Sequence, residues 1–211
     1  MDEQTRLASF GVRYFKAGTA ARAASGAFDP YSYETFAGKH AVSIAAGDCA
    51  FYLSDDCKSA HLTRGPATIR SAHFATLVRG FAPENKSSSL LGSTVLPYIN
   101  GCSTKQIFHP DRVGDPTLQM LLMPPHTSEQ HHHVHSTARS VYILSGRGHC
   151  VVGVDGAVKF PLETGTVCVF SPMSAHHFET QDEALVVLPV HVWSSSSAEY
   201  DHPMFNGTFK I

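Results

Sequence analysis

The stretch His131-His132-His133-Val134-His135 opens a segment that runs on through Arg139 to Gly146. Side chains alternate between faces along an extended strand, so His131, His133 and His135 are expected on one face, which is how a strand presents imidazoles to a single ion. A second pair, His176-His177, follows Pro172. Between the two clusters the chain reads as short strands and tight turns. Val151 to Phe160 is strand, turn at Asp155-Gly156, strand, because Asp-Gly readily takes the positive φ angles of a two-residue hairpin. The two histidine clusters are therefore expected on strands that face each other across a small barrel. The competing reading of a histidine run is an exposed polar strand; a second cluster at hairpin-compatible distance favours metal binding.

His133-Val134-His135, three residues, Arg139, six residues, Gly146 resembles the first cupin motif, in which His-x-His is followed by a Glu and a Gly at similar spacing. Gly165 to Pro172, then His176-His177-Phe178, resembles the second. The likeness covers residues 118–192. It implies an all-β fold, a double-stranded β-helix of jelly-roll type. His133, His135 and one histidine of the second motif would hold a divalent metal inside the barrel. Counting from Gly165 lands on His176 and counting from Pro172 lands on His177; the proline is the nearer anchor and favours His177. His131 is kept as a further candidate ligand. Fe(II) is the ion expected first, with Zn, Ni and Mn as alternatives. The likeness breaks at Arg139, where the motif has Glu.

Three imidazoles without a carboxylate leave a divalent ion its full charge, which favours an anionic, chelating substrate and open coordination positions. The resemblance points the same way, because some cupin dioxygenases lack the motif glutamate, and the stretch His133 to Gly146 is similar to that of gentisate-type ring-cleaving enzymes. The first expectation is an Fe(II) three-histidine oxygenase or dioxygenase acting on a small anionic organic molecule. The alternatives are a redox-neutral metal-dependent lyase or isomerase, and a non-catalytic small-molecule-binding or sensory cupin. Arg139 and Tyr142 are the catalytic candidates. Arg139 cannot ligate a metal as a carboxylate does, so it either turns outward to pair with Glu129, Glu179 or Asp182, or holds a substrate anion. Tyr142 competes with a plain core role, and Tyr98, Gln119 and His126 are further candidates to line the cavity.

Net charge is −2 over 211 residues, with no block of Lys and Arg, which speaks against nucleic acid and membrane surfaces as partners. No apolar run is long enough to span a bilayer and no secretory signal is visible at Met1 to Arg6, so a cytoplasmic protein is expected. The cysteines, five in number, form no Cys-x-x-Cys pair and read as free thiols; Cys102, in the polar turn Asn100 to Ser103, is the one with the best claim to reactivity. Residues 1–35 read as an N-terminal arm packing on the body or on a second subunit, a homodimer being expected, and 36–211 as the barrel. Within the arm, Leu7, Phe10 and Tyr14 have helical spacing and Thr5 is a candidate cap, although Val12 to Phe15 also suits a strand. From His40 to Leu122 strands punctuated by glycine and proline are expected to extend the barrel or lay a second β-layer against it, with no repeat visible as a second cupin domain. Ala82 to Ser89 and His109 to Pro116 read as loops, Ser194 to Ser197 as a linker, and Met204 to Ile211 as a terminal hairpin turning at Asn206-Gly207.

Overall fold

The computed structural model describes residues 2–25, 32–131 and 133–192 together with the backbone of 208–210. The linker at Ser194 to Ser197 and the turn at Asn206-Gly207 lie outside the described residues. A short helix α1 (Glu3–Ser9) is followed by β1 (Val12–Phe15) and β2 (Ala21–Ala24). Then come β3 (Tyr33–Ala37), β4 (His40–Ile44), β5 (Cys49–Leu53), β6 (Ser59–Arg64), β7 (Ala67–Ser71) and β8 (Phe74–Val78), with β9 (Lys86–Ser89), β10 (Leu96–Pro97) and β11 (Ser103–Phe108) after them. The remainder is β12 (Thr117–Met123), β13 (His133–His135), β14 (Arg139–Val152), β15 (Val158–Glu163), β16 (Val167–Phe170), β17 (His176–Glu179), β18 (Leu185–His191) and β19 (Thr208–Lys210).

β12 to β18 form a jelly-roll barrel in which β14 serves both walls. Its first half pairs with β16 and β18, and its second half, from Arg147, with β15 and β17. The strand turns the corner at a register shift between Ile143 and Ser145, next to Gly146. There φ is +85° and a Cβ would overlap the Ala184 carbonyl oxygen, so only glycine fits. Gly146→Ala is expected to cost about 2 kcal/mol or more, read as a clear drop in Tm, because both the backbone angle and the space forbid the methyl. The hairpin after β14 is longer than a two-residue Asp-Gly turn. Val152 pairs with Val158, and the chain between them needs positive φ at both Gly153 and Gly156.

Residues 33–78 repeat the same pairing scheme. β3 pairs β8, β8 pairs β5, β5 pairs β6 and β4 pairs β7, just as β12 pairs β18, β18 pairs β14, β14 pairs β16 and β13 pairs β17. The repeat is shorter, because β5 turns at once into β6 with no counterpart of the corner and of β15. Sequence could not show this repeat, since its interior chemistry differs. Val42 and Ile44 on β4 and Ile69 on β7 fill the small barrel with Phe36, Ala50, Ala75 and Leu77, on strands equivalent to those that carry the histidines. β9 joins this sheet by pairing with β6, so Lys86 to Ser89 is strand rather than the loop expected.

The two large sheets face each other. Tyr33, Phe51, Phe74 and Val78 from one pack with Leu118, Met120, Tyr142, Leu188 and Val190 from the other. Ser140 Oγ, buried in this layer, meets the hydroxyls of Thr35 at 2.8 Å and Thr76 at 2.9 Å, so its polar atom is satisfied across the interface. The arm is a strand more than a helix. α1 stops at Ser9, capped by Asp2 rather than Thr5, whose backbone N–H donates to the aspartate side chain at 2.8 Å. β1 then adds to the edge of the barrel by pairing with β16.

Candidate metal centre

The barrel interior is set by strand parity. On β14 Arg139 and Val141 point inward while Ser140 and Tyr142 point to the sheet interface; on β18 Val187, Pro189 and His191 point inward. β13 and β17 are neighbours, with His133 directly opposite His176, so the histidine clusters lie side by side on paired strands rather than facing each other across the barrel. This pairing selects His176. The imidazoles of His133, His135 and His176 offer ligand atoms that lie within 4.8 Å of one another, all buried. The preference for His177 fails because counting from the proline puts the inward position one residue late. His177 sits on the other face of β17, where Nε2 lies 3.1 Å from Glu179 Oε1 and the ring meets the exposed His131 edge-on at 4.6 Å. His131 precedes the strand, in a turn, so alternation does not carry to it.

Two of the three rings are locked in the state a metal requires. His133 Nδ1 donates to the Gln130 carbonyl at 2.6 Å and His176 Nδ1 to the Ser174 carbonyl at 2.7 Å. A carbonyl can only accept, so in each neutral ring the lone pair is on Nε2. His176 is also wedged flat against Phe170, ring centroids 4.1 Å apart. Burial holds His133 down to about 4 and pushes His135, His176 and His191 well below the ordinary histidine range, so these rings stay neutral near pH 7.

His135 is different, and the cause is Arg139. The arginine is 3% exposed. It does not turn outward: its guanidinium donates to Thr137 Oγ1, to the Ala138 carbonyl at 3.3 Å and to His135 Nδ1 at 3.0 Å, while Nε is buried with no hydrogen-bond partner. Among the described residues no carboxylate pairs with it. The acids expected as outward partners are engaged elsewhere: Glu179 pairs with Lys159, Asp182 lies 3.7 Å from His126, and Glu129 is inside the barrel. Burial pushes Arg139 down to about 9, still charged near neutrality. A guanidinium only donates, so His135 Nδ1 is accepting and its proton is on Nε2. Coordination through either nitrogen therefore requires Arg139 to give up this bond. His133 and His176 fit an ion as they stand; His135 fits once Arg139 withdraws.

Two site residues were not legible in the sequence. Glu129, 2% exposed, is held where the chain runs beside β17 by its backbone N–H to the Phe178 carbonyl at 3.1 Å. Its Oε1 lies 3.3 Å from His133 Nε2, and burial pushes it up to about 8. His191 closes the wall opposite, its ring 6.2 Å from that of His135. A lone Glu in a polar stretch and a lone His ending an apolar strand carry no spacing signal. Other expected lining residues part ways. Gln119 lies on the same face of β12 as Leu121, which lines the cavity, and its buried amide has no hydrogen-bond partner. Tyr98 reaches Gln130 Oε1 at 3.5 Å, outside the histidine cluster, and His126 is exposed. Tyr142 belongs to the interface, 5.7 Å ring to ring from Phe74 and 3.8 Å from Cys57 Sγ, and does not face the site. Cys102 is buried and its thiol is pushed up to about 12, which leaves it unreactive. The free space among Glu129, His135, Arg139, His176 and His191 is about 20 Å³, enough for an ion or a single water.

This inward histidine set on a jelly-roll barrel defines a class, and residues 119–192 match the family model described as the cupin domain. These residues make up a cupin domain. No curated protein matches it. Among solved structures it resembles a candidate glyoxylate-induced protein from Pseudomonas aeruginosa, with 12% identity, 90% of this chain and 84% of the other covered, and a TM-score of 0.55. It also resembles a candidate dioxygenase from Nostoc punctiforme, with 9% identity, 95% and 86% covered and a TM-score of 0.51. A polyketide cyclase from Streptomyces resistomycificus matches at 19% identity over 44% of this chain, which spans 65% of that protein, with a TM-score of 0.40. At these identities the likeness is one of fold. Among the described residues no helix is long and apolar enough to cross a membrane.

Proposed function

We propose that the barrel formed by β12 to β18 binds a divalent ion, Fe(II) by preference, through His133, His135 and His176, and acts as an oxygenase on a small anionic organic substrate. The observation that supports it is the buried guanidinium of Arg139 beside three neutral imidazoles, with no carboxylate paired to it among the described residues. A fixed positive charge in a dry site recruits an anion. A bound ion would supply Lewis acidity and, as iron, a redox centre for dioxygen chemistry. The chain's own residues do the rest. The carbonyls of Gln130 and Ser174 hold His133 and His176 in the ligating tautomer, Arg139 binds the substrate's anionic group, the unpartnered Gln119 amide offers it a further hydrogen bond, and the apolar wall of Leu121, Val141, Phe178 and Val187 excludes water. Because the free space holds only an ion or a water, substrate entry needs the cavity wall to give way.

Protein loaded anaerobically with Fe(II) is expected to consume oxygen only when a substrate from a panel of organic acids, thiols and catechols is added. Equal turnover with Zn(II) and no oxygen uptake would replace this reading with a redox-neutral lyase or isomerase. Saturable binding without turnover under any metal would leave a small-molecule-binding protein.

A further inference from the structure

We infer that the rim of the small barrel carries a second binding site, in a different barrel from the histidine cluster, for a small hydroxylated anion held by Lys39, Arg70 and Ser71. The cleft lies where β4 begins and β7 ends and has a volume of about 610 Å³, the size of a small-molecule site. Lys39, His40, Asp55, Arg70 and Ser71 line it. Lys39 and Arg70 are exposed, and among the described residues the side chain of neither is in an ion pair or a hydrogen bond. Asp55 supplies the carboxylate of the lining and is also in no ion pair there, so two cations against one acid leave the cleft net positive. Ser71 is the second, independent observation. It stands opposite His40 in the pairing of β4 with β7, is 1% exposed, and its hydroxyl has no hydrogen-bond partner among the described residues. A buried hydroxyl left without a partner is unfavourable, and a ligand oxygen in the cleft would supply one.

The shape of the cleft is fixed by contacts that tie three turns together. The Gly38 N–H, between β3 and β4, donates to the His73 carbonyl at 2.7 Å, and His73 Nε2 donates to the Asp55 carbonyl, between β5 and β6, at 2.8 Å. His40 is tied by Nε2 to the Ala37 carbonyl at 2.9 Å and leans on Phe36, ring centroids 5.3 Å apart. Groups carried on braced turns lose less freedom when a ligand arrives. Below the rim the barrel is filled by Val42, Ile44 and Ile69, so the ligand rests at the mouth rather than inside. The ammonium of Lys39, the guanidinium of Arg70 and the hydroxyl of Ser71 can all donate to the oxygens of an anion, while the Asp55 carboxylate can only accept and so calls for a hydroxyl on the same molecule. A short polyol phosphate or a short hydroxy acid meets both demands.

Calorimetric titration of the full chain with glycerol 3-phosphate tests the site, with inorganic phosphate as the probe that lacks the glycerol hydroxyls. Saturable binding of glycerol 3-phosphate is expected, tighter than that of inorganic phosphate. The paired substitution Lys39→Gln, Arg70→Gln is expected to weaken it at least about tenfold with Tm unchanged, because both side chains are exposed. Ser71→Ala is expected to weaken it about threefold or more. Arg139→Met, which removes the guanidinium of the histidine barrel, should leave the affinity within about twofold of wild type. The absence of saturable binding up to about 10 mM, equal affinity for the two probes, or full affinity in the paired variant would each overturn the inference. Loss of binding in Arg139→Met alone would overturn it too, and would put the anion beside the histidines. The two sites share no residue, so failure here leaves the proposed metal centre standing.

Discussion

Replacing His176 with alanine is expected to weaken metal binding on the order of 100-fold or more, whereas replacing His177 leaves it within about threefold of wild type. The two residues are adjacent and both buried, at 4% and 2% exposure, so accessibility does not separate them. Direction does. His176 is paired with His133, its proton is fixed on Nδ1 by the Ser174 carbonyl, and its ring is clamped by Phe170. A ligand whose tautomer and orientation are set in advance loses little freedom on binding, so removing it forfeits most of a coordination bond. His177 is engaged with Glu179, which itself holds Lys159 at the surface, and its loss should cost about 1 kcal/mol of stability at most. Calorimetric titration with Zn(II) or Co(II), alongside Tm for each metal-free variant, checks both halves. Equal losses from the two variants would mean that the ion does not sit among His133, His135 and His176.

Arg139→Met is expected to raise stability by about 1 to 3 kcal/mol, to tighten metal binding at least tenfold, and to abolish binding of the anionic substrate. All three follow from one arrangement. A guanidinium is buried with no acid paired to it among the described residues, its Nε without a hydrogen-bond partner and one arm on His135 Nδ1. Desolvating an unpaired charge is costly, and an apolar side chain of similar length should relieve that cost. The donor that now occupies His135 would be gone, together with the repulsion between a cation and the incoming ion. Wild-type protein, in turn, should bind metal more tightly when an anion is present to draw Arg139 away, and the variant should not. Thermal melts, metal titrations with and without a carboxylate ligand, and substrate binding give the readouts. A variant that is less stable and binds the anion normally would make the arginine a packing element and remove it from the site.

The parts of this molecule that sequence disclosed are those governed by local spacing. The His-x-His on β13 and the glycine at the β14 corner are each visible in a few consecutive residues, because pleat and turn geometry act over that range. What sequence could not disclose depends on register between strands distant in the chain. Whether His176 or His177 turns inward is decided by its pairing with His133, forty-three positions away, and a one-residue slip exchanges the faces. Tyr142 has the right type for a catalytic residue, yet its neighbour Ser140 is bonded to Thr35 and Thr76, which places both on the outer face. Glu129 looks like a surface acid until its backbone is seen tied to Phe178. The repeated jelly roll was hidden for a further reason: a barrel filled with Val42, Ile44 and Ile69 shares its pairing scheme with the histidine barrel and almost none of its chemistry.

β1 is made early and paired late. Its partner β16 begins at Val167, so the segment Val12–Phe15 has no edge to join until more than a hundred and fifty residues have followed it. Every strand pairing of the first sheet, by contrast, lies within residues 21–89. On a growing chain that sheet can close while its apolar outer face, with Tyr33, Phe51 and Phe74, still awaits the cover that β12, β14 and β18 will bring. The non-local closure of the second barrel is then the slow step, and the interval before it is when the nascent protein is most prone to aggregate or to need a chaperone.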